Sequence, residues 1–138
     1  MNEKATIFLR LALGLTFLST VCDRLGLLTA FGVPGFENMT NFLAYTEQLT
    51  PYLPKVLIPV TGWSVTILEA MLGLSLIAGF QTKRAAFVSG CLLVVFALSM
   101  SWSIGIKSSM DYSVWSAAAG AFMLATCKVF PYSIDSRI

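Results

Sequence analysis

The segment LIPVTGWSVTILEAMLGLSLIAGF, residues 57–80, contains 24 residues and a single charged side chain, that of Glu69. A bilayer core about 30 Å thick requires about 20 helical residues, so this segment predicts a transmembrane helix. Glu69 is its thirteenth residue and is therefore expected near the bilayer midplane. A carboxylate at that depth is costly, so the fold must shield it inside a bundle, pair it or keep it protonated.

Three further apolar segments predict an all-α fold, an integral membrane four-helix bundle that forms a single domain over residues 1–138. The expected helices are about 5–30, 57–80, 85–106 and 113–130. Only 12% of the residues are charged, whereas a soluble domain carries about 25%. Because a water-facing surface needs charge, this composition favours an exterior that faces the lipid bilayer.

Composition also narrows the function classes. The net charge of +2 comes without a basic block, so a nucleic-acid partner is not expected. Histidine is absent and the three cysteines form no Cys-x-x-Cys pair, so we predict no metal site and no dithiol relay. Arg10 interrupts the first apolar run and Val21 is large for a cleavage site, so we expect a retained first helix.

The distribution of basic residues predicts the topology. Gln81-Thr82-Lys83-Arg84 forms a tight polar turn between the second and third helices. One side of the membrane then collects six basic residues and the other three: Lys4, Arg10, Lys83, Arg84, Lys128 and Arg137 against Arg24, Lys55 and Lys107. The positive-inside rule places both termini in the cytoplasm.

The long connection 32–59 contains apolar positions at helical spacing. These positions are Met39, Phe42, Leu43, Thr46 and Leu49. They predict a short amphipathic helix in the first extracytoplasmic loop, which either lies along the outer membrane face or caps the bundle.

Glu69 shares one helix face with Gly62, Thr66 and Gly73, at spacings of four, three and four residues. Small residues let a neighbouring helix approach closely, so this face is expected to point into the bundle. Glu69 is then a candidate catalytic residue that handles protons, or a ligand-binding carboxylate. The alternative is an interhelical hydrogen bond with a structural role only.

Two arginines share a face of the first helix with Gly14, Phe17 and Val21. Arg10 either snorkels to lipid headgroups or faces inward, toward a carboxylate or an anionic ligand. An inward-facing Arg24 would form, together with Glu69, a pocket for a polar ligand head. Both arginines are therefore candidate ligand-binding residues.

Lys107, Asp111 and Tyr112 are the remaining candidates for ligand binding. The structural alternative is that Lys107 favours the carbonyl end of the third helix and Asp111 caps the N-terminus of the fourth. Tyr112 lies near a predicted membrane interface, where its ring would stack on a ligand.

Several motifs in order resemble the DoxX family over nearly the whole chain. They are Arg10-x-x-x-Gly14-x-x-Phe17, EAMLGLSLIAGF followed by QTKRAA at 69–86, FALSM at 96–100 and GIKSSMDYS at 105–113. Arg10, Gly14, Glu69, Lys107 and Asp111 match recurrent polar and small positions of that family. Ser109 stands where many members carry proline.

The resemblance implies a bundle in the bacterial inner membrane and a membrane subunit linked to a redox system, with a quinone as the candidate cofactor. Members include the small membrane subunit of thiosulfate:quinone oxidoreductase. The chain has no electron carrier of its own, so a partner enzyme subunit would supply electrons. The alternatives are a non-catalytic anchor or assembly partner for another enzyme, and a small proton-coupled transporter that acts as a homo-oligomer.

Overall fold

The computed structural model describes residues 1–138 and contains helices and no strands. In chain order the α-helices are α1 (Glu3–Arg24), α2 (Met39–Leu49), α3 (Ile58–Ala78), α4 (Thr82–Ser103), α5 (Ile106–Asp111) and α6 (Val114–Ala125). Single 3-10 turns at Thr29–Phe31 and Lys55–Leu57 precede α2 and α3. The predicted all-helical fold class is confirmed.

Three helical segments are long and apolar enough to cross a membrane, namely Glu3–Arg24, Lys55–Ala78 and Thr82–Ser103. Helix α6 is also apolar, but its 12 residues extend only about 18 Å. The chain therefore has the helices of a multi-pass membrane protein, and the fourth apolar helix is the shortest of them.

Helices α1 and α3 approach each other closely at two glycines. A Cβ atom on Gly14 would lie 2.7 Å from Ile77 Cγ1 and 3.0 Å from the carbonyl oxygen of Gly73. A Cβ atom on Gly73 would lie 2.9 Å from the Leu18 side chain. Neither position has room for a side chain, so the predicted small-residue face of α3 is confirmed as a helix interface.

Small residues also let α4 and α6 pack together. A Cβ atom on Gly90 of α4 would come within 2.7 Å of the Phe122 ring of α6. Ala86 and Ala97 of α4 and Ala121 of α6 are fully buried. The bundle therefore consists of two closely packed helix pairs, α1 with α3 and α4 with α6.

The chain termini lie together at one end of the bundle, which we call the terminal end. There Thr6 Oγ1 lies 3.9 Å from Cys127 Sγ, and the backbone N–H of Ile134 donates to the Ala78 carbonyl at 3.1 Å. The opposite end, covered by α2, is called the α2 end. Both termini therefore lie at the same end of the bundle, and their cytoplasmic location stays a prediction.

The hydrophobic core fills the half of the bundle near the terminal end. Its buried residues are Leu13, Phe17, Leu72, Leu76, Ala85, Ala86, Ala121, Leu124 and Ala125. Close packing of this kind leaves little free volume. The large apolar cavity of the protein lies in the other half, as described below.

The segment that follows α6 closes the terminal end by capping α4. The carboxylate of Asp135 accepts hydrogen bonds from the backbone N–H groups of Gln81, at 2.8 Å, and Thr82, at 2.7 Å. Partial burial disfavours the charged carboxylate, but the hydrogen bonds from Thr82 and Gln81 and the charge of Arg10 outweigh it, so the pKa of Asp135 is lowered. Asp135 thus supplies the side-chain cap that the start of a helix needs.

The first helix ends at Arg24, so the prediction that it extends to about residue 30 was wrong. Gly26 adopts a φ of +76°, a conformation outside the helix. The Asp23 carboxylate also accepts hydrogen bonds from the backbone N–H groups of Phe36, at 2.8 Å, and Glu37, at 3.2 Å. These bonds hold the following loop against the helix end.

Two other predicted boundaries also need correction. Helix α4 occupies Thr82–Ser103 instead of 85–106, because the Asp135 cap starts it early and Gly105, with a φ of +97°, follows its end. Helix α6 ends at Ala125 instead of residue 130. Its last turn tightens through bonds from the N–H groups of Thr126 and Cys127 to carbonyls three residues earlier.

The predicted amphipathic helix is confirmed as α2, and it caps the bundle. Phe42 and Thr46 are its buried residues. The Leu43 side chain packs against Gly62 of α3, where an added Cβ would lie 2.3 Å from Leu43 Cδ2. The Ser103 hydroxyl donates to the Leu49 carbonyl at 2.7 Å, which ties the end of α2 to the end of α4.

The substitution Gly14→Val should destabilise the bundle, because its side chain has no room between α1 and α3. We expect a loss of about 1–3 kcal/mol in the free energy of unfolding, which is typical of overpacking. Leu15→Val is the control, since Leu15 is 60% exposed. Unfolding in mixed detergent micelles, followed by circular dichroism, measures both variants. Equal stabilities would contradict the close approach at Gly14.

The substitution Asp135→Ala should cost about 1 kcal/mol of unfolding free energy at pH 7, the usual cost of losing a helix cap. Because the pKa of Asp135 is lowered in the folded protein, its contribution is complete above the unfolded value of about 3.9. It disappears as the pH falls through the folded pKa. Unfolding at pH 7 and at successively lower pH measures the change.

Glu3→Ala is the control for this pH series, because Glu3 is an exposed carboxylate at the same end of the bundle. It should show little loss at any pH. A cost of Asp135→Ala that stayed constant down to the lowest pH would rule out a role for the charged carboxylate.

Candidate ligand-binding site

The predicted contact between Arg24 and Glu69 is present in the structure. Arg24 Nη1 donates to Glu69 Oε2 in an ion pair whose side chains are 5% and 3% exposed. The same nitrogen donates to the Thr66 hydroxyl at 3.1 Å, and that hydroxyl donates to the Gly62 carbonyl at 2.8 Å. The pair therefore joins α1 to α3 near the middle of the bundle.

Local sequence explains why these groups meet. Arg24 is the last residue of α1 and lies on its buried face, which includes Gly14, Phe17 and Val21. Glu69 lies on the buried face of α3. Because α1 and α3 run in opposite directions and touch at Gly14 and Gly73, the end of α1 comes beside the middle of α3.

Helix α2 covers the arginine. The guanidinium carbon of Arg24 lies 3.6 Å from the centroid of the Phe42 ring, a cation–π contact. The Phe36 ring packs on Phe42, at 5.3 Å between centroids, and on Tyr45, at 5.2 Å. An aromatic cluster thus separates the ion pair from water at the α2 end.

A cavity of about 290 Å3 lies between α2 and the α2-end halves of α3 and α4, with Arg24 in its wall. Most of the residues that line it are apolar or aromatic, among them Phe36, Phe42, Leu49, Leu53, Val65, Leu93, Val95, Phe96 and Met100. Arg24 is the only charged residue in the wall. An apolar cavity with one positioned polar group is the common form of a small-molecule site.

Glu69 does not line this cavity, so the expected pocket around Glu69 is more accurately a pocket beside Arg24. Glu69 acts on the cavity through the arginine that it holds. The proton-handling role predicted for Glu69 stays a prediction. It would require transfer through a neighbouring group.

Arg24 has an unused hydrogen-bond donor. Its interactions with Thr66 and Glu69 are made through Nη1, and its buried Nε has no hydrogen-bond partner in the protein. A buried N–H without an acceptor costs about 1–3 kcal/mol. Only an acceptor that comes within hydrogen-bond distance of Nε would remove that cost.

Tyr45 of α2 also lines the cavity. Burial, and to a smaller extent the charge of Tyr112, raise the pKa of Tyr45 above its usual value. The phenol therefore stays protonated at neutral pH and keeps its hydroxyl hydrogen. Tyr45 is thus a second donor in a wall that is otherwise largely apolar.

Arg10 lies far from this cavity, at the terminal end. It is buried, and its Nη1 and Nη2 donate to the carbonyl oxygens of Pro131, at 3.0 Å, and Tyr132, at 2.9 Å. Of its two predicted orientations, the structure has the inward-facing one. Its Nε also lacks a partner, but Arg10 does not line the cavity beside Arg24. Its ligand-binding role stays a prediction.

Lys107 and Asp111 form an exposed ion pair of 2.5 Å within α5. The expectation that Asp111 caps the fourth helix was wrong, because Ser113, with a φ of +55°, is the residue before α6. Tyr112 is 74% exposed. None of the three lines the cavity, and the structure does not bring them to Arg24. Their predicted roles in ligand binding stay predictions and do not concern this cavity.

A larger recess of about 370 Å3 lies at the terminal end, between Met1, Glu3, Cys127 and Lys128. The charged residues in its wall, Glu3 and Lys128, are exposed. It therefore lacks the buried, held charge that distinguishes the cavity beside Arg24, which we take as the candidate site.

Sequence reasoning did not include α2 in the site. Phe42, Tyr45 and Thr46 line the cavity, and none of them was a predicted ligand-binding residue. A signal was available, because Phe42 and Thr46 lie on the apolar face of the predicted amphipathic helix. An apolar helix face packs against the bundle, and the buried charges of Arg24 and Glu69 are the groups that most require shielding from water.

Comparison with protein-family models, with curated proteins and with solved structures found no match to this chain.

A double-mutant cycle tests the buried pair. Arg24→Gln and Glu69→Gln should each cost about 3–5 kcal/mol of unfolding free energy, because each leaves a buried charge without its partner. The double variant should cost clearly less than the sum of the two. Unfolding in detergent micelles measures all three.

The exposed pair Lys107–Asp111 provides the matched control. The same cycle with Lys107→Gln and Asp111→Asn should give a coupling of about 0–1 kcal/mol, as for surface pairs. If the Arg24–Glu69 cycle gave a coupling no larger than this, the two side chains would not form a buried pair.

Proposed function

We propose that this protein is a DoxX-like membrane subunit of a quinone-linked redox system, and that the cavity beside Arg24 binds the quinone headgroup. The observation that carries the proposal is the guanidinium of Arg24, which is fixed in the wall of an apolar cavity and retains a buried N–H without an acceptor. A quinone carbonyl is an acceptor on an otherwise apolar ring. A hydrogen-bond donor in the cavity wall and a hydrogen-bond acceptor on the quinone ring are therefore chemically complementary.

The charge balance of the site supports a neutral ligand. Glu69 already neutralises Arg24, so an anionic headgroup would meet both charges at close range. An anion would also have to give up its hydration in an apolar wall, at high cost. A neutral carbonyl oxygen can accept a hydrogen bond from Arg24 without charge repulsion from Glu69 and without the loss of an anion's hydration.

The size of the cavity supports one ring-sized headgroup. Its volume of about 290 Å3 is near the lower limit of about 300 Å3 for small-molecule pockets. Phe42 and Phe96 provide apolar contact for a flat ring, and the Tyr45 phenol provides a second hydrogen-bond donor. The roles of the chain are therefore to bind and orient the ring and to exclude water from it.

The proposed setting is the bacterial inner membrane, with both termini in the cytoplasm and α2 on the extracytoplasmic side. Basic residues support this orientation, since Lys4, Lys83, Arg84, Lys128 and Arg137 all belong to the terminal end. The helix α2 and the cavity then face the side where a partner enzyme subunit would deliver electrons. A bound quinone would supply the redox chemistry.

Direct binding of decylubiquinone to the full chain in lipid nanodiscs tests the proposal. The variant Arg24→Gln/Glu69→Gln keeps the site neutral but removes the guanidinium, and it should bind at least about tenfold more weakly, a loss of about 1.4 kcal/mol. The control Lys107→Gln/Asp111→Asn removes an exposed pair of the same charges and should bind as the wild type does.

Two outcomes would contradict the proposal. The first is no saturable binding of decylubiquinone to the wild type. The second is equal affinity for the two double variants, which would place binding elsewhere. If quinone did not bind while a partner enzyme co-purified in stoichiometric amount after mild solubilisation, the alternative of a non-catalytic anchor would replace this proposal.

A further inference from the structure

Two of the residues that line the cavity beside Arg24 are also exposed on the surface of the protein. Tyr52, which is 67% exposed, lies in the connection between α2 and α3 at the α2 end. Val95, which is 56% exposed, lies in α4. The wall of the cavity therefore includes surface residues at two places, one at the α2 end and one in the side of the bundle.

Val95 belongs to the outward-facing stripe of α4. Cys91, Leu98 and Trp102, at spacings of three and four residues from one another and from Val95, are all exposed as well. In a membrane this apolar stripe faces lipid. An opening of the cavity at Val95 would consequently face the bilayer.

The depth of Val95 follows from helix geometry. Val95 is 13 residues from Thr82, which places it about 20 Å along α4 from the terminal end. Trp102 is 82% exposed and lies seven residues further, or about 10 Å. Since exposed tryptophans mark the membrane interface, Val95 lies within the hydrocarbon layer.

The two parts of the wall differ in chemistry. On α3 and α4 the wall is formed largely by apolar residues, among them Val65, Leu93 and Phe96, and it also contains Thr61 and Ser99. Near Tyr52 it includes the hydroxyl-bearing residues Thr46 and Thr50. A molecule with a polar head at the charged Arg24 can place an apolar tail along the largely apolar wall of α3 and α4, toward Val95.

We propose that the opening at Val95, between the α2-end halves of α3 and α4, is a lateral portal through which the quinone enters from the bilayer and through which its isoprenoid tail remains in the lipid. This inference rests on the proposed function. It names the substrate class as a membrane-resident, long-tailed quinone, as opposed to a water-soluble one that enters beside Tyr52.

The test compares two probes, decylubiquinone and the same dimethoxy-methyl-benzoquinone headgroup without a tail, on the full chain in nanodiscs. Val95→Trp should block the portal and weaken decylubiquinone binding by about tenfold or more, a loss of about 1.4 kcal/mol. Binding of the tailless headgroup should change by less than about threefold, which is under 1 kcal/mol.

Two control variants accompany Val95→Trp. Leu98→Trp puts the same bulk on the same exposed stripe, one turn away and outside the cavity wall, and should leave both affinities unchanged. Val95→Ala widens the opening and should bind decylubiquinone at least as tightly as the wild type. Thermal unfolding of each variant confirms that the fold is retained.

Equal effects of Val95→Trp and Leu98→Trp, or an equal loss of both probes in Val95→Trp, would overturn the portal. The proposed function would survive either result, provided that the wild type binds decylubiquinone and the Arg24→Gln/Glu69→Gln variant binds it at least about tenfold more weakly. If the wild type bound neither probe, the proposed function would fail, and the portal with it.

Discussion

The rest of the structure depends on the burial of Arg24 and Glu69 in a bundle whose interior is otherwise largely apolar. Taking both charges out of water is costly, and only a close pair with additional hydrogen bonds repays that cost. The pair therefore sets the relative positions of α1 and α3. The glycines at 14 and 73 let the two helices come close enough for the pair to form, and Phe42 of α2 covers the guanidinium.

The two arginines of α1 show how the surroundings decide the role of a buried cation. Arg10 is held by two backbone carbonyls that follow α6, in the half of the molecule that the hydrophobic core fills. Arg24 is held by a carboxylate and faces free volume. Both lie on the same face of one helix. Their roles differ because different groups pack against each arginine at the two ends of the bundle.

Much of the fold could be predicted from hydrophobic segments and helical spacing. The residues at 62, 66, 69 and 73 and those at 10, 14, 17, 21 and 24 lie on buried faces as their spacing indicated, and α2 forms from the pattern in the long connection. Helix ends were less predictable. Apolar composition continues past Arg24 and Ala125, where local hydrogen bonds and a glycine end the helices instead.

The site was predicted in part, for a physical reason. The pairing of Arg24 with Glu69 could be predicted because a buried charge without an opposite charge nearby is strongly destabilising. The cap that Asp135 provides for α4 and the cavity wall that α2 contributes depend on contacts between different segments of the chain. Spacing along one helix does not contain that information.

The position of the Asp135 cap and the carbonyls that hold Arg10 also affects biogenesis. Residues 131–135 follow α6 in the chain, so they leave the ribosome after α1, α3 and α4 have been synthesised. Until then, Arg10 and the first N–H groups of α4 must find other partners, such as water or lipid phosphates. The terminal end of the bundle is therefore completed late, after insertion of the helices that it joins.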